Sequence, residues 1–306
     1  MKIIVAVIVG LACLNAAARA SAPAYGELNE DLLTGVNKTM KDARATKVGY
    51  NPVKDPNGKP SQALEWVSIP GGQFTLGASN FSDAKPIDGK IYTIKTFEAS
   101  KTLVTVEQYA ECVIKGECTN PDTTKYCNYY KPGRRLHPVN CVDWHQANQY
   151  AKFKDGRLLT ETEYDYAATS GGKNYKYPWG NEEATCERAV IFGNGDYGCG
   201  SGGTMRVCSK DAGNTKIEGL SADKQLCDMV GNVWQWVQDK YQNTYADTPT
   251  DGSASEDSDS DRVLRGGPFR ATTAGNPQAV HRRNGDPAGR NGRSGSVGFR
   301  LARSSH

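Results

Sequence analysis

The chain has 306 residues, with 37 Lys and Arg against 34 Asp and Glu and a formal net charge of +3. That balance excludes a histone-like nucleic-acid binder and an acidic disordered chain, and an aromatic content of 9% supplies bulky groups for a core. With 33 Gly and 14 Pro the composition is that of a loop-rich protein, not a bundle of long helices.

Residues 1–20 read as a secretory signal peptide. Lys2 precedes an apolar run too short to anchor, and Ala18-Arg19-Ala20 is a small-residue cleavage site. Lipid attachment at Cys13 is the alternative, and Gly10 argues against it because it stands where a large aliphatic residue belongs. Export leaves eight cysteines, Cys112, Cys118, Cys127, Cys141, Cys186, Cys199, Cys208 and Cys227. An even set outside the cytoplasm implies a disulfide framework, with the periplasm, cell surface or medium as its place. No other stretch reaches the ~20 apolar residues that span a bilayer.

Residues 21–62 form a polar arm and linker, with a helix expected over 28–43 and three prolines between Pro52 and Pro60. The globular domain, 63–306, opens with strands expected at 64–69, 73–77 and 90–97. Helices are expected over 104–115 and 143–154, and Thr160 with Glu163 has the spacing of a capping box that starts a third. Beyond Thr169, Gly-rich loops separate short apolar runs at 189–192, 233–237, 262–265 and 297–301. There is no internal repeat, and the mixture points to one α+β domain.

Several chemical motifs fail on inspection. Gly193-Asn-Gly-Asp-Tyr-Gly198 matches a dinucleotide fingerprint, yet the glycines that follow Cys199 cannot open the helix it requires. Asp257-Ser-Asp-Ser-Asp261 begins like a calcium loop, but Arg262 and Pro268 stand where glycine and glutamate belong. His137 and His145 are eight apart, no ligand spacing on one helix face, so an imidazole bonded to its surroundings is the simpler reading. The sequons at Asn37 and Asn80 matter only in a glycosylating host.

Seven blocks recur in one order: Ile69-Pro-Gly-Gly-Gln-Phe-Thr-Leu-Gly77, His137-Pro-Val-Asn-Cys-Val-Asp-Trp144, Gly156-Arg-Leu-Leu-Thr-Glu-Thr-Glu-Tyr164, Tyr177-Pro-Trp-Gly-Asn181, Met229-Val-Gly-Asn-Val-Trp-Gln-Trp236, Arg262-Val-Leu-Arg-Gly-Gly267 and Gly298-Phe-Arg-Leu301. In these the chain resembles the formylglycine-generating enzyme family, or sulfatase-modifying factors, over about residues 64–303. The resemblance implies an elaborated C-type lectin-like α+β fold. Members that oxidise a substrate cysteine resemble one another in holding copper through two cysteines five apart, and thiolates suit Cu(I) because both are soft. The matching places here are near Ala271 and Asn276, so no copper and no formylglycine generation by that route are expected. The family's structural calcium maps to Gly231, Asn232, Val233 and Gln235, where Gln235 replaces a glutamate and removes one negative charge. A branch of iron-dependent sulfoxide synthases relies on a histidine-rich domain, whereas this chain has only four histidines. A further branch, cysteine-free periplasmic oxidases of siderophore maturation, stays open.

Eight cysteines allow 105 pairings. Sequence does not fix which forms, and the expected set, by short-range closure without crossing, is Cys112–Cys118, Cys127–Cys141, Cys186–Cys199 and Cys208–Cys227. Between Arg262 and Arg303 nine arginines face a single acid, Asp286. Either they pair with Glu256, Asp257, Asp259 and Asp261 and serve the framework, or they form a face that receives carboxylate, phosphate or sulfate. On the second reading the ligand contacts are Phe269 as a stacking surface with Arg270, His281, Arg282, Arg283, Arg290 and Arg293. The loop 268–297 also resembles the variable region of retroelement-diversified lectin-fold proteins. The expected function is an exported binding module for an anionic small molecule, surface protein or glycan, with no nucleic-acid partner. The rivals are a periplasmic oxidase of the same family and a purely structural envelope protein.

Overall fold

The computed structural model describes residues 62–77, 90–173, 175–256, 261–272, 282–288 and 293–305. The chain divides into two compact units, 1–49 and 50–306, and every described residue lies in the second. The expected signal peptide, Cys13, the helix over 28–43 and both sequons lie outside the described residues.

Three helices form where the spacing of apolar residues places them: α1 Val106–Ile114, α2 Trp144–Phe153 and α3 Glu161–Ala168. Each begins with a complete capping box, Thr105 with Gln108, Asp143 with Gln146 and Thr160 with Glu163, so two orphan donors at each N-terminus are satisfied locally. The first sheet runs β1 Trp66–Ile69, β4 Phe97–Ser100, β10 Leu301–Ser304, β5 Arg157–Leu158 in spatial order. β2 Gly72–Phe74 pairs with β3 Tyr92–Ile94 alone. The third sheet has the order β8 Arg282–Gly285, β7 Arg262–Arg265, β6 Trp234–Lys240, β9 Val297–Phe299, with β6 and β9 parallel.

One expectation needs correction. The strand expected over 90–97 is two strands in different sheets. Tyr92, Ile94, Phe97 and Ala99 are all buried, so the period-2 phase slips between Ile94 and Phe97 and the chain passes from one sheet to the other. The run 189–192 is not a strand. Ala189, Val190 and Ile191 are buried in succession against Tyr177 and Trp179, whose rings stack at 4.8 Å. Their backbone bonds to loops instead: Asn232 N–H donates to Val190 O and Cys199 N–H to Ile191 O.

The core has three parts. One lies among β1 to β4 and α3, a second joins α1 and α2 to Trp234, Trp236 and Phe299, and the small third underlies the long loops. Four disulfides reinforce it, joining Cys112 to Cys118, Cys127 to Cys141, Cys186 to Cys199 and Cys208 to Cys227. Loops of this length in a small helical frame gain most from such cross-links, which fits an oxidising environment. Among the described residues no helix is long and apolar enough to cross a membrane.

Candidate functional site

The segment after β7 carries the site. Gly266 has φ 90°, and a Cβ there would lie 2.4 Å from Tyr164 Oη and 2.7 Å from Met229 O, so only glycine makes this turn. The chain then runs beside Asn232, whose carbonyl accepts from Phe269 N–H at 2.9 Å. On the other side the loop closed by Cys186–Cys199 docks by two bonds, Phe192 N–H to Ala271 O at 2.9 Å and Gly198 N–H to Phe269 O at 3.0 Å.

These contacts gather rings around one cation. The Arg270 guanidinium lies 4.3 Å from the Tyr126 ring centre, 5.3 Å from Tyr197 and 5.2 Å from Phe269. Phe192, which is exposed, stands edge-on to Tyr197 at 5.9 Å. Gly295 permits the close approach of Tyr126, since a Cβ there would meet Tyr126 Cβ at 2.4 Å. Arg270 is half-buried, and its Nε is buried with no hydrogen-bond partner. The sequence supplies no carboxylate to 262–306 except Asp286. The arrangement stabilises a guanidinium through ring faces and leaves its hydrogen-bonding edge unspent.

The other expected ligand contacts divide. Phe269 is fully buried and packs against Tyr126 and Tyr197, so it is a core ring and offers no open stacking surface. Arg282 is buried: Nε and Nη2 bind the Glu161 carboxylate at 2.7 and 3.0 Å, and the guanidinium stacks on Tyr241 and Tyr245. It is a framework cation. Arg293 is tied to Asp143 Oδ2 at 2.5 Å, while the other oxygen of Asp143 caps α2. Arg283 is exposed on β8. His281 and Arg290 lie outside the described residues, as does Asn276. Arg265, bound to Glu161 and Asp165, and Arg300 are framework residues as expected. Among the described residues, the carboxylates that meet Arg265, Arg282 and Arg293 come from α3 and the α2 cap.

Of the residues mapped to calcium, the side chains of Asn232 and Gln235 are already paired within the protein. Gln235 Oε1 accepts from Arg300 Nε at 2.7 Å, and its Nε2 donates to Asp228 O at 2.9 Å and toward Met229 O at 3.4 Å. Asn232 spends both ends of its amide on the Met205 backbone. Both side-chain amide oxygens therefore already accept from an N–H, and the Arg300 guanidinium stands beside Gln235. A copper(I) pair finds no thiolate either. All eight described cysteines are in disulfides, and Ala271 carries a methyl group. Among the described residues no three His, Cys, Asp or Glu cluster in a metal-binding arrangement.

Among the titrating groups of the frame, His137 and Asp239 pull in opposite senses. His137 Nδ1 meets Arg134 and Thr204 at 3.0 Å each, and burial, helped by Arg134, lowers its pKa to about 4, so it stays neutral. Asp239 accepts from Ser255 N–H at 2.9 Å and from Glu161 N–H at 2.6 Å, which ties the loop 252–256 to α3. Burial, then the Glu161 charge, raises Asp239 to about 7. An unfolded aspartate loses its proton near about 3.9, so stability falls as pH rises from there to about 7. The depressed imidazole works in the opposite sense, and stability falls as pH drops from about 6.5 to about 4. The two slopes partly cancel. Asp239→Asn removes the falling contribution between about 4 and 7, so the urea midpoint at pH 7 relative to that at pH 4.5 should be higher in the variant than in the parent; an unchanged profile would refute the assignment.

Set beside known proteins, residues 52–305 match a family described as sulfatase-modifying factor enzyme 1-like domain. The chain is 26% identical over 299 residues to the formylglycine-generating enzyme of Streptomyces coelicolor, covering 81% of this chain and 91% of that one. Among solved structures, PvdO from Pseudomonas aeruginosa superposes with a TM-score of 0.62 at 26% identity, covering 79% of this chain and 95% of PvdO. Treponema denticola variable protein 1 has a TM-score of 0.59 at 20% identity, covering 80% and 96%, a likeness of fold.

Proposed function

Since the chain belongs to the sulfatase-modifying factor enzyme 1-like domain family, we propose that it is an exported ligand-binding member, working without the copper-cysteine route, that receives an anionic group at Arg270. The observation that carries this reading is the half-buried guanidinium with an unpartnered Nε, set among Tyr126, Tyr197 and Phe269 in a stretch, 262–306, where the one acidic side chain is Asp286. A partly desolvated cation without a counter-charge is costly, and a carboxylate, phosphate or sulfate removes that cost through charge-assisted bonds. The exposed ring of Phe192 beside it suits an anion borne on a flat apolar group. Arg283 on β8 is a second donor for a larger ligand such as a glycan or a surface protein. If loop 268–297 is diversified, its variation falls between strands that hold its ends, and a near-identical repeat beside the 3′ end of the gene would reveal it.

Benzoate, phenyl phosphate and phenyl sulfate titrated into the protein should give saturable amide shifts, weakened about tenfold or more in Arg270→Gln and eased by salt. Equal affinity in the variant would overturn the reading. So would oxygen consumption by the purified protein with a cysteine-bearing peptide, which the oxidase alternative predicts.

A further inference from the structure

A second site lies at the opposite end of β7. Arg270 follows the end of that strand at Arg265, whereas Arg262 at its start enters a groove of about 890 Å³ between α2 and the loop 252–256. The floor is prebuilt. The Arg262 guanidinium lies 4.1 Å from the centre of the Trp144 ring, and its Nη1 donates to Gln238 O at 2.8 Å. One bank carries Asn148 and Lys152, four residues apart on α2 and therefore on one face. Neither side chain makes a hydrogen bond or ion pair to the described residues. The opposite bank is low, with Gly252 and Ala254, and ends at Glu256, whose carboxylate accepts from Gln238.

From this we infer that the groove binds an acidic oligosaccharide. An apolar ligand would need an exposed hydrophobic face, and the one large ring here is 6% exposed beneath a guanidinium. Hydroxyl groups donate and accept at once, and the two banks present both kinds of partner: an amide and an ammonium on one, a carboxylate and extended backbone on the other. Small residues on the second bank let a flat ring approach closely. The ammonium of Lys152, paired with no acid among the described residues, selects a ligand that carries a carboxylate on the α2 side. The volume holds more than a single sugar ring. The inference does not depend on Arg270.

The test is a titration of trigalacturonate into the full chain labelled with ¹⁵N-tryptophan, reading the Trp144 indole signal, with maltotriose and a glutamate-rich hexapeptide as comparisons. Saturable binding of trigalacturonate, weakened about tenfold in the Asn148→Ala/Lys152→Ala variant and unchanged in Arg270→Gln, is the expected result. Alanine is compatible with α2 and leaves the fold intact. Equal binding of maltotriose, preference for the hexapeptide, or an unaltered affinity in the double variant would each overturn the proposal.

Discussion

Replacing Glu161 with alanine should destabilise the domain by about 3–5 kcal/mol and lower its melting temperature by about 10 °C. Glu161 is buried at the first position of α3, and its two oxygens take three donors: Arg265 Nη1 at 3.0 Å, Arg282 Nε at 2.7 Å and Arg282 Nη2 at 3.0 Å. Removing the carboxylate takes a shared anion from two buried guanidinium groups; Asp165 stays 3.4 Å from Arg265 Nη2. The loss comes from orphaned charge more than from missing contacts, so adding Arg282→Met to Glu161→Ala should restore part of the stability. Thermal denaturation of the two single variants and the double variant measures the coupling; strict additivity would contradict the network. Hydrogen exchange should also accelerate in β8, because Arg282 is its first residue and this pair fastens it to α3.

Deleting the Cys208–Cys227 disulfide, as Cys208→Ala/Cys227→Ala, should cost about 3 kcal/mol, against about 2 kcal/mol for Cys112–Cys118. The two bridges close spans of 19 and 6 residues, and the longer loop restricts the unfolded chain more. The segment between Cys208 and Cys227 has only two short 3₁₀ turns. Its far end serves the core directly, since Arg300 Nη2 donates to the carbonyl of Cys227. Denaturant midpoints measured without reductant compare the two variants. The shorter bridge proving the costlier would refute the loop-length argument.

Much of the fold was legible because its determinants are local. Each helix is announced by a polar cap with Gln or Glu three residues on, and Thr105-x-x-Gln108 and Asp143-x-x-Gln146 could have been read from the sequence as readily as Thr160-x-x-Glu163. Nearest-neighbour pairing of the eight cysteines also matched the structure, because short closures are favoured when loops do not cross. The site was legible only in outline. A run of arginines in a sequence does not show which ones meet a carboxylate, since the partners of Arg265, Arg282 and Arg293 are more than a hundred residues away. Phe269 and Arg270 are adjacent in the chain, yet one is core and the other half-open.

By itself the sequence determined the α+β class, the helices, an even set of eight cysteines after Cys13 and the lack of a cysteine pair after Gly267, all matters of residue type and spacing. Only the tertiary structure decided that Arg282 and Arg293 are spent on Glu161 and Asp143 while Arg270 keeps its hydrogen-bonding edge, and that Arg262 floors a separate groove. The physical reason is that charge is neutralised through space. A balance of 37 basic and 34 acidic residues limits the total, but the fold alone chooses which cation is left without a partner and so can await a ligand.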